Sequence, residues 1–204
     1  MHQPARMIER AAWGWLCAIV LLLAVLPAGA QQPQADITHM QVDRTEEGVL
    51  LSAAVQFELP HAVEDALAKG IPMFFVAEAS LYRDRWYWYD KRVTTATRHM
   101  RLSYQPLTRR WRLQVSSGPP GQSGLALGQT FDTREEAMAA VQRISRWRVA
   151  EPGDIDPETV HYVDFRFRLD ISQLPRPFQI GVVGQSDWNI LASRLQRLPP
   201  ELAR

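Results

Sequence analysis

From Gly48 the chain reads GVLLSAAVQFEL, with Val49, Leu51, Ala53, Val55, Phe57 and Leu59 apolar and Ser52, Gln56 and Glu58 between them. Strict alternation of this kind belongs to a strand with one face buried and the other wet. The pattern recurs over Ile37 to Arg44 and in IPMFFVAEASL, where Ile71, Met73, Phe75, Ala77, Ala79 and Leu81 share a face. It recurs again from His161 to Ile171, where Val163, Phe165, Phe167 and Leu169 alternate with Tyr162, Asp164, Arg166, Arg168 and Asp170. Arg98 to Val115 reads as a hairpin: Met100, Leu102 and Tyr104 face one way, Gln105-Pro106-Leu107-Thr108 turns, and Trp111, Leu113 and Val115 return on the same side. Phe178, Ile180 and Val182 predict one more strand, leading to Trp188.

Two stretches break this period. Pro60 to Lys69 predicts a short helix, with Pro in its first turn, a stripe of Ala62, Val63, Ala66 and Leu67, and Gly70 closing it in the left-handed conformation. Thr133-Arg134-Glu135-Glu136 matches a capping box and predicts a second helix running to about Trp147, with Met138, Val141 and Ile144 inward. Ser116 to Gly124 and the acidic stretch 151–158 read as loops. Strands that leave one face wet imply antiparallel pairing, since parallel strands are apolar on both faces. The expected fold is therefore α+β and β-rich: antiparallel sheets in a sandwich-like arrangement, with the two helices packed on the sheet.

The N-terminus changes the compartment. Arg6 and Arg10 precede an apolar run from Ala11 to Leu26, followed by Ala28-Gly29-Ala30. That is the layout of a secretory signal peptide cleaved after Ala30, and the run is shorter than the roughly 20 residues a spanning helix needs. The expected organisation is a signal peptide over 1–30, a stub over 31–35, a single domain over 36–198 and a tail over 199–204. The location is periplasmic, or anchored to the inner membrane facing the periplasm if the segment is retained. Losing Arg6, Glu9 and Arg10 leaves a formal net charge of zero, so nothing points to nucleic acid. Cys17 lies inside the leader, so the exported domain has no disulfide and no thiol nucleophile.

The candidate chemistry is on surfaces. RWYWYDKR, residues 85–92, read as a strand, puts Trp86, Trp88 and Asp90 on one side and Arg85, Tyr87, Tyr89 and Lys91 on the other. Tryptophans in the core and tyrosines under basic stems explain it without a ligand; wet tyrosines forming a platform for a sugar, peptide or partner strand explain it with one. The hairpin adds Arg98, Arg101, Arg109, Arg110 and Arg112, with Arg101 expected near Arg110 and Arg112 on the outer face, where like charges need compensation. The internal partners expected are Glu151, Asp154, Asp156 and Glu158, with Asp164 and Asp170; the external one is an anionic ligand such as a lipid head group or an acidic protein patch. His39, His61, His99 and His161 lie on separate elements without metal-ligand spacing, and His161 is expected as a satisfied core histidine. Carboxylate pairs such as Asp84 with Asp90 exist, but no nucleophile elbow and no glycine-rich phosphate loop does. No catalytic residue, metal or cofactor is expected.

Taken in order, "ALAKGIPMFF", "RDRWYWYDKRV", "RLSYQPLTRRWRLQV", "REEAMAAVQRISRW", "FRFRLDISQLPRPFQI" and "SDWNI" resemble a family of exported proteobacterial proteins, a domain of unknown function also described as a proline-rich signal peptide protein. The resemblance covers nearly all of residues 36–196. It implies a single periplasmic domain whose gene lies beside a nitrogen-type sensor kinase and its response regulator, and it supplies no active site. The leading expectation is a non-enzymatic periplasmic binding domain, with the sensory region of a membrane kinase or another envelope protein as partner. Its surface is Arg85, Tyr87, Tyr89, Lys91, Arg101, Arg110 and Arg112. The alternatives are a glycan- or peptidoglycan-binding or -hydrolysing protein, recognisable by a concave cleft with rings and two carboxylates, and a membrane-anchored protein that binds anionic lipid.

Overall fold

The computed structural model describes residues 35–84, 91–118, 127–176 and 188–200. Strand β1 (Ala35–Thr45) turns at Glu46-Glu47 into β2 (Gly48–Phe57). Helix α1 (His61–Ala68) follows. Its end is the predicted one: Gly70 sits at φ +82°, its N–H donates to Leu67 O at 2.8 Å, and Ile71 N–H donates to Ala66 O at 3.0 Å. That is the paired closure made by a left-handed residue after a helix. Then come β3 (Met73–Arg83), β4 (Lys91–Gln105), β5 (Arg110–Ser116), β6 (Leu127–Phe131), helix α2 (Arg134–Gln142), β7 (Arg143–Ala150), β8 (His161–Leu169) and β9 (Leu191–Arg197).

These strands form two antiparallel sheets, one of three strands in the order β1-β2-β7 and one of six in the order β6-β5-β4-β3-β8-β9. The small sheet lies against the large one, with β1 beside β9 and β7 beside β3 and β4. Helix α2 continues the covering layer over β5 and β6, with Ala137 and Val141 buried. The α+β sandwich expected from the alternation is the observed fold. Val49, Phe75 and Phe167 are fully buried, and the rings of Phe57, Phe75 and Phe167 meet across the two sheets with centroids 5.4–5.8 Å apart. The hairpin register is also as predicted: Met100 faces Val115, Leu102 faces Leu113 and Tyr104 faces Trp111.

One prediction is corrected. The second helix begins at the expected cap, where Thr133 Oγ1 accepts from Glu136 N–H at 3.2 Å, but it ends at Gln142, and Arg143–Ala150 is a strand. A bulge explains the error. Ile144 faces Ala53 and Trp147 faces Leu51, so two inward residues of β7 are three apart where their partners are two apart. Ser145 and Arg146 take up the extra length, with Arg146 at φ 43° and its N–H donating to Ser52 Oγ at 3.1 Å. An i, i+3 apolar pair following a real helix reads as one more helical turn.

The edge strands β6 and β9 were not foreseen. Leu127 in β6, and Leu191 and Leu195 in β9, are exposed, and Ala192 is the buried residue of β9, so neither strand carries an apolar alternation. The predicted strand at 178–182 lies outside the described residues, as does the stretch 85–90. Among the described residues no helix is long and apolar enough to cross a membrane.

Candidate functional site

Residues directly opposite each other in antiparallel strands share a face, so the registers map the wet side of the six-stranded sheet row by row. One row runs Arg197, Tyr162, Tyr82 and Arg92 across β9, β8, β3 and β4. The next carries Leu195, Asp164, Ser80 and Thr95, with Ser80 Oγ and Thr95 Oγ1 hydrogen-bonded at 2.9 Å. At the far end of the sheet Phe74, Arg101 and Gln114 form one row and Ser103, Arg112 and Thr130 another.

Tyr82-Arg83 ends β3 with Asp84 just past it, and Tyr162-Val163-Asp164 follows His161 at the start of β8. Antiparallel pairing of these two Tyr-x-Asp runs has a geometric consequence. The half-buried tyrosines stand side by side, while Asp84 and Asp164 fall on opposite sides of the pair along the strands. Asp84 stays in the ladder, its N–H donating to Val160 O at 2.9 Å. Four residues therefore separate its row from that of Asp164, roughly 13 Å at about 3.3 Å per residue. A groove of about 430 Å³ opens here, lined by Tyr82, Asp84, Tyr162, Asp164 and Leu195, the last 63% exposed.

The charges around the groove are ordered. Arg166 grips Asp164 with two nitrogens, Nε at 3.0 Å and the second at 2.7 Å, and this hydrogen bonding raises the guanidinium pKa above its ordinary value. The Arg92 guanidinium lies over the Tyr82 ring, 5.8 Å from its centre. No described residue pairs with the exposed carboxylate of Asp84. The face carries Arg92, Arg101, Arg110, Arg112, Arg166, Arg168 and Arg197 against Glu78, Asp84, Asp164, Asp170, which pairs with Arg168 at 3.4 Å, and Asp132 at its edge, so cationic groups outnumber anionic ones.

Of the residues singled out in the sequence, Arg101, Arg110 and Arg112 do share the outer face at the far end, as expected. Arg101 donates to Gln114 Oε1 at 3.4 Å and lies 5.9 Å from the centre of the Phe74 ring, and the Arg112 guanidinium extends over Gly128. Their expected partners are corrected. Arg110 pairs with Asp132 at 3.4 Å, whereas in the acidic loop Glu151 pairs with Arg148 at 3.5 Å and Asp156 with Arg83 at 3.6 Å. Strands β3 and β4 stand between β5 and that loop, which keeps the loop from the hairpin arginines. Lys91 is exposed at the start of β4, opposite Arg83 and so on the other face from Arg92. Arg85, Tyr87 and Tyr89 lie outside the described residues.

His161 is buried as expected but only half satisfied. Its Nδ1 meets Thr159 O at 3.1 Å, while Nε2 has no partner among the described residues. The Nε of Arg83, opposite it in the ladder, is likewise buried and unpaired. Among the described residues no three His, Cys, Asp or Glu side chains gather to hold a metal.

Residues 32–197 match the family model for the domain of unknown function DUF4390, and the chain belongs to that family. No curated protein and no solved structure matches it.

Proposed function

We propose that the chain is an exported, non-enzymatic binding domain that holds a cell-envelope partner against the outer face of its six-stranded sheet, anchored at the Tyr82–Tyr162 groove. The observation that carries this reading is the tyrosine pair on a wet sheet face, bracketed by Arg92 and Arg197 in one row. Rings with an apolar body and a polar tip supply contact area at low entropic cost, and flanking guanidinium groups supply orientation. The groove volume lies within the roughly 300–1,000 Å³ usual for ligand clefts. Asp84 and Asp164 come from rows four residues apart and so flank the ring pair along the strands, an arrangement that suits holding a ligand more than cleaving one. Asp164 is moreover occupied by Arg166.

The test is a photo-activated cross-linker placed in living cells at Leu195, which lines the groove, and at Leu107, fully exposed in the β4–β5 turn. Adducts at 195 and not at 107 are expected, and their mass distinguishes a membrane kinase's sensory region from a glycan or a lipid. Equal labelling at both positions would remove the groove as the binding face.

A further inference from the structure

Resting on that reading, we propose that the groove takes a carboxylated sugar unit of an envelope glycan, such as the lactyl-bearing residue of a peptidoglycan strand whose stem peptide has been removed. Three features of the site converge on this chemistry. The adjacent faces of Tyr82 and Tyr162, with Leu195 beside them, make a platform for the C–H face of a pyranose ring. Arg92 and Arg197, at the two ends of the same row, are placed to take a carboxylate on either side of that ring. Asp84 and Asp164 lie above and below the row, where they accept hydrogen bonds from sugar hydroxyls.

The mixture of groups also sorts the possible ligands. A neutral sugar uses the rings and the carboxylates but leaves two arginines without a counter-charge. An anionic bilayer matches the arginines, yet it presents no rigid ring to lie on the Tyr82–Tyr162 pair. A chain that carries hydroxyls and carboxylates on rigid rings satisfies all three kinds of group at once. The face beyond the groove, with Arg101 and Arg112 still positive, gives such a chain a direction in which to continue.

The experiment titrates the purified full chain with two tetrasaccharides: a peptidoglycan glycan stripped of its peptides, whose lactyl groups are free carboxylates, and a chitin fragment that lacks them. Binding of the first, at least about tenfold tighter than the second and weakened by salt, is expected. Tyr82→Ala and Tyr162→Ala should each lower that affinity about tenfold, with Tyr82→Phe close to the parent. Arg92→Gln and Arg197→Gln, both at exposed positions that leave the fold intact, should close the gap between the two sugars. Equal affinity for the two sugars would overturn the acidic specificity. No binding of either, with cross-links at Leu195 still forming, would overturn the glycan assignment while leaving the binding face in place. Attachment to phosphatidylglycerol vesicles through Arg101 and Arg112, insensitive to the tyrosines, would overturn it in favour of a lipid surface.

Discussion

The guanidinium carbon of Arg98 lies 4.9 Å from the centre of the Trp147 ring. Arg98 is opposite Ala77 on β3, which places it on the inward side of β4, between the two sheets, where burial lowers its pKa. No described carboxylate pairs with it. The ring face of Trp147, on the bulged strand β7, is thus its counterpart, and a desolvated cation over a tryptophan is stabilised by about 2 kcal/mol. The cost of burying the charge is of similar size, so Arg98→Met, which keeps the stem and removes the charge, should leave stability within about 1 kcal/mol of the parent. Trp147→Ala, which strips the cation of its ring and opens a gap, should lose about 2–4 kcal/mol. Urea denaturation of both variants checks this; similar losses in the two would mean that the charge itself is required.

Acidification should destabilise the domain through His161. This side chain is 2% exposed and held neutral by burial, which pushes its pKa below 6.5; Arg83 and Arg44 nearby push the same way, against the Thr159 carbonyl and Asp156. The unfolded chain binds the proton more readily than the folded one, so this contribution is complete above about pH 6.5 and is lost as pH falls towards the lowered folded value. His99 is shifted down by burial as well and adds to the same slope. His61 is shifted up, chiefly by a backbone hydrogen bond and then by Asp65, and has the opposite sign on a fully exposed surface. Melting temperature should therefore fall as pH drops below about 6.5, and His161→Gln should flatten the fall. An unchanged slope in that variant would acquit His161.

Gly48 and Gly153 make a matched pair. Gly48 has φ +112°, and a Cβ there would stand 2.1 Å from Ala150 O, because the start of β2 presses on the end of β7. Gly153 has open space around it. Gly48→Ala should cost about 2–4 kcal/mol, and Gly153→Ala should change stability by less than about 1 kcal/mol. Thermal melts of the two alanine variants decide it, and equal melting points would contradict the close approach.

How far the sequence carried the structure follows from what periodicity can encode. Val49, Phe75 and Phe167 announced their burial because each sits in a run whose neighbours alternate. Leu191 and Leu195 hid a strand because at an edge the apolar residues face water. The candidate site was half legible: Arg101, Arg110 and Arg112 were placed on one face by the hairpin alone. Alternation put Tyr162 on a wet face and did not single out Tyr82; what joins them is the pairing of β3 with β8, strands far apart in the chain. Alternation fixes which face a residue takes and says nothing about which strand lies alongside.

The bulge on β7 gives the last prediction. Arg146 holds φ 43°, a region that costs a residue with a Cβ about 1 kcal/mol or more, and it does so to bring both Ile144 and Trp147 inward. If the bulge is what the fold requires, a residue at home in that conformation should be welcome there. Arg146→Gly should be neutral or stabilising by up to about 1 kcal/mol, and Arg146→Val, with a branched Cβ, should lose about 1–3 kcal/mol. Ser52→Ala, which removes the acceptor of the Arg146 N–H, should lose about 1 kcal/mol. A helix continuing through Trp147 would invert the first pair, because glycine in a helix interior is worse than valine. Guanidinium melts of Arg146→Gly and Arg146→Val thus test the strand, the bulge and the inward seat of Trp147 together.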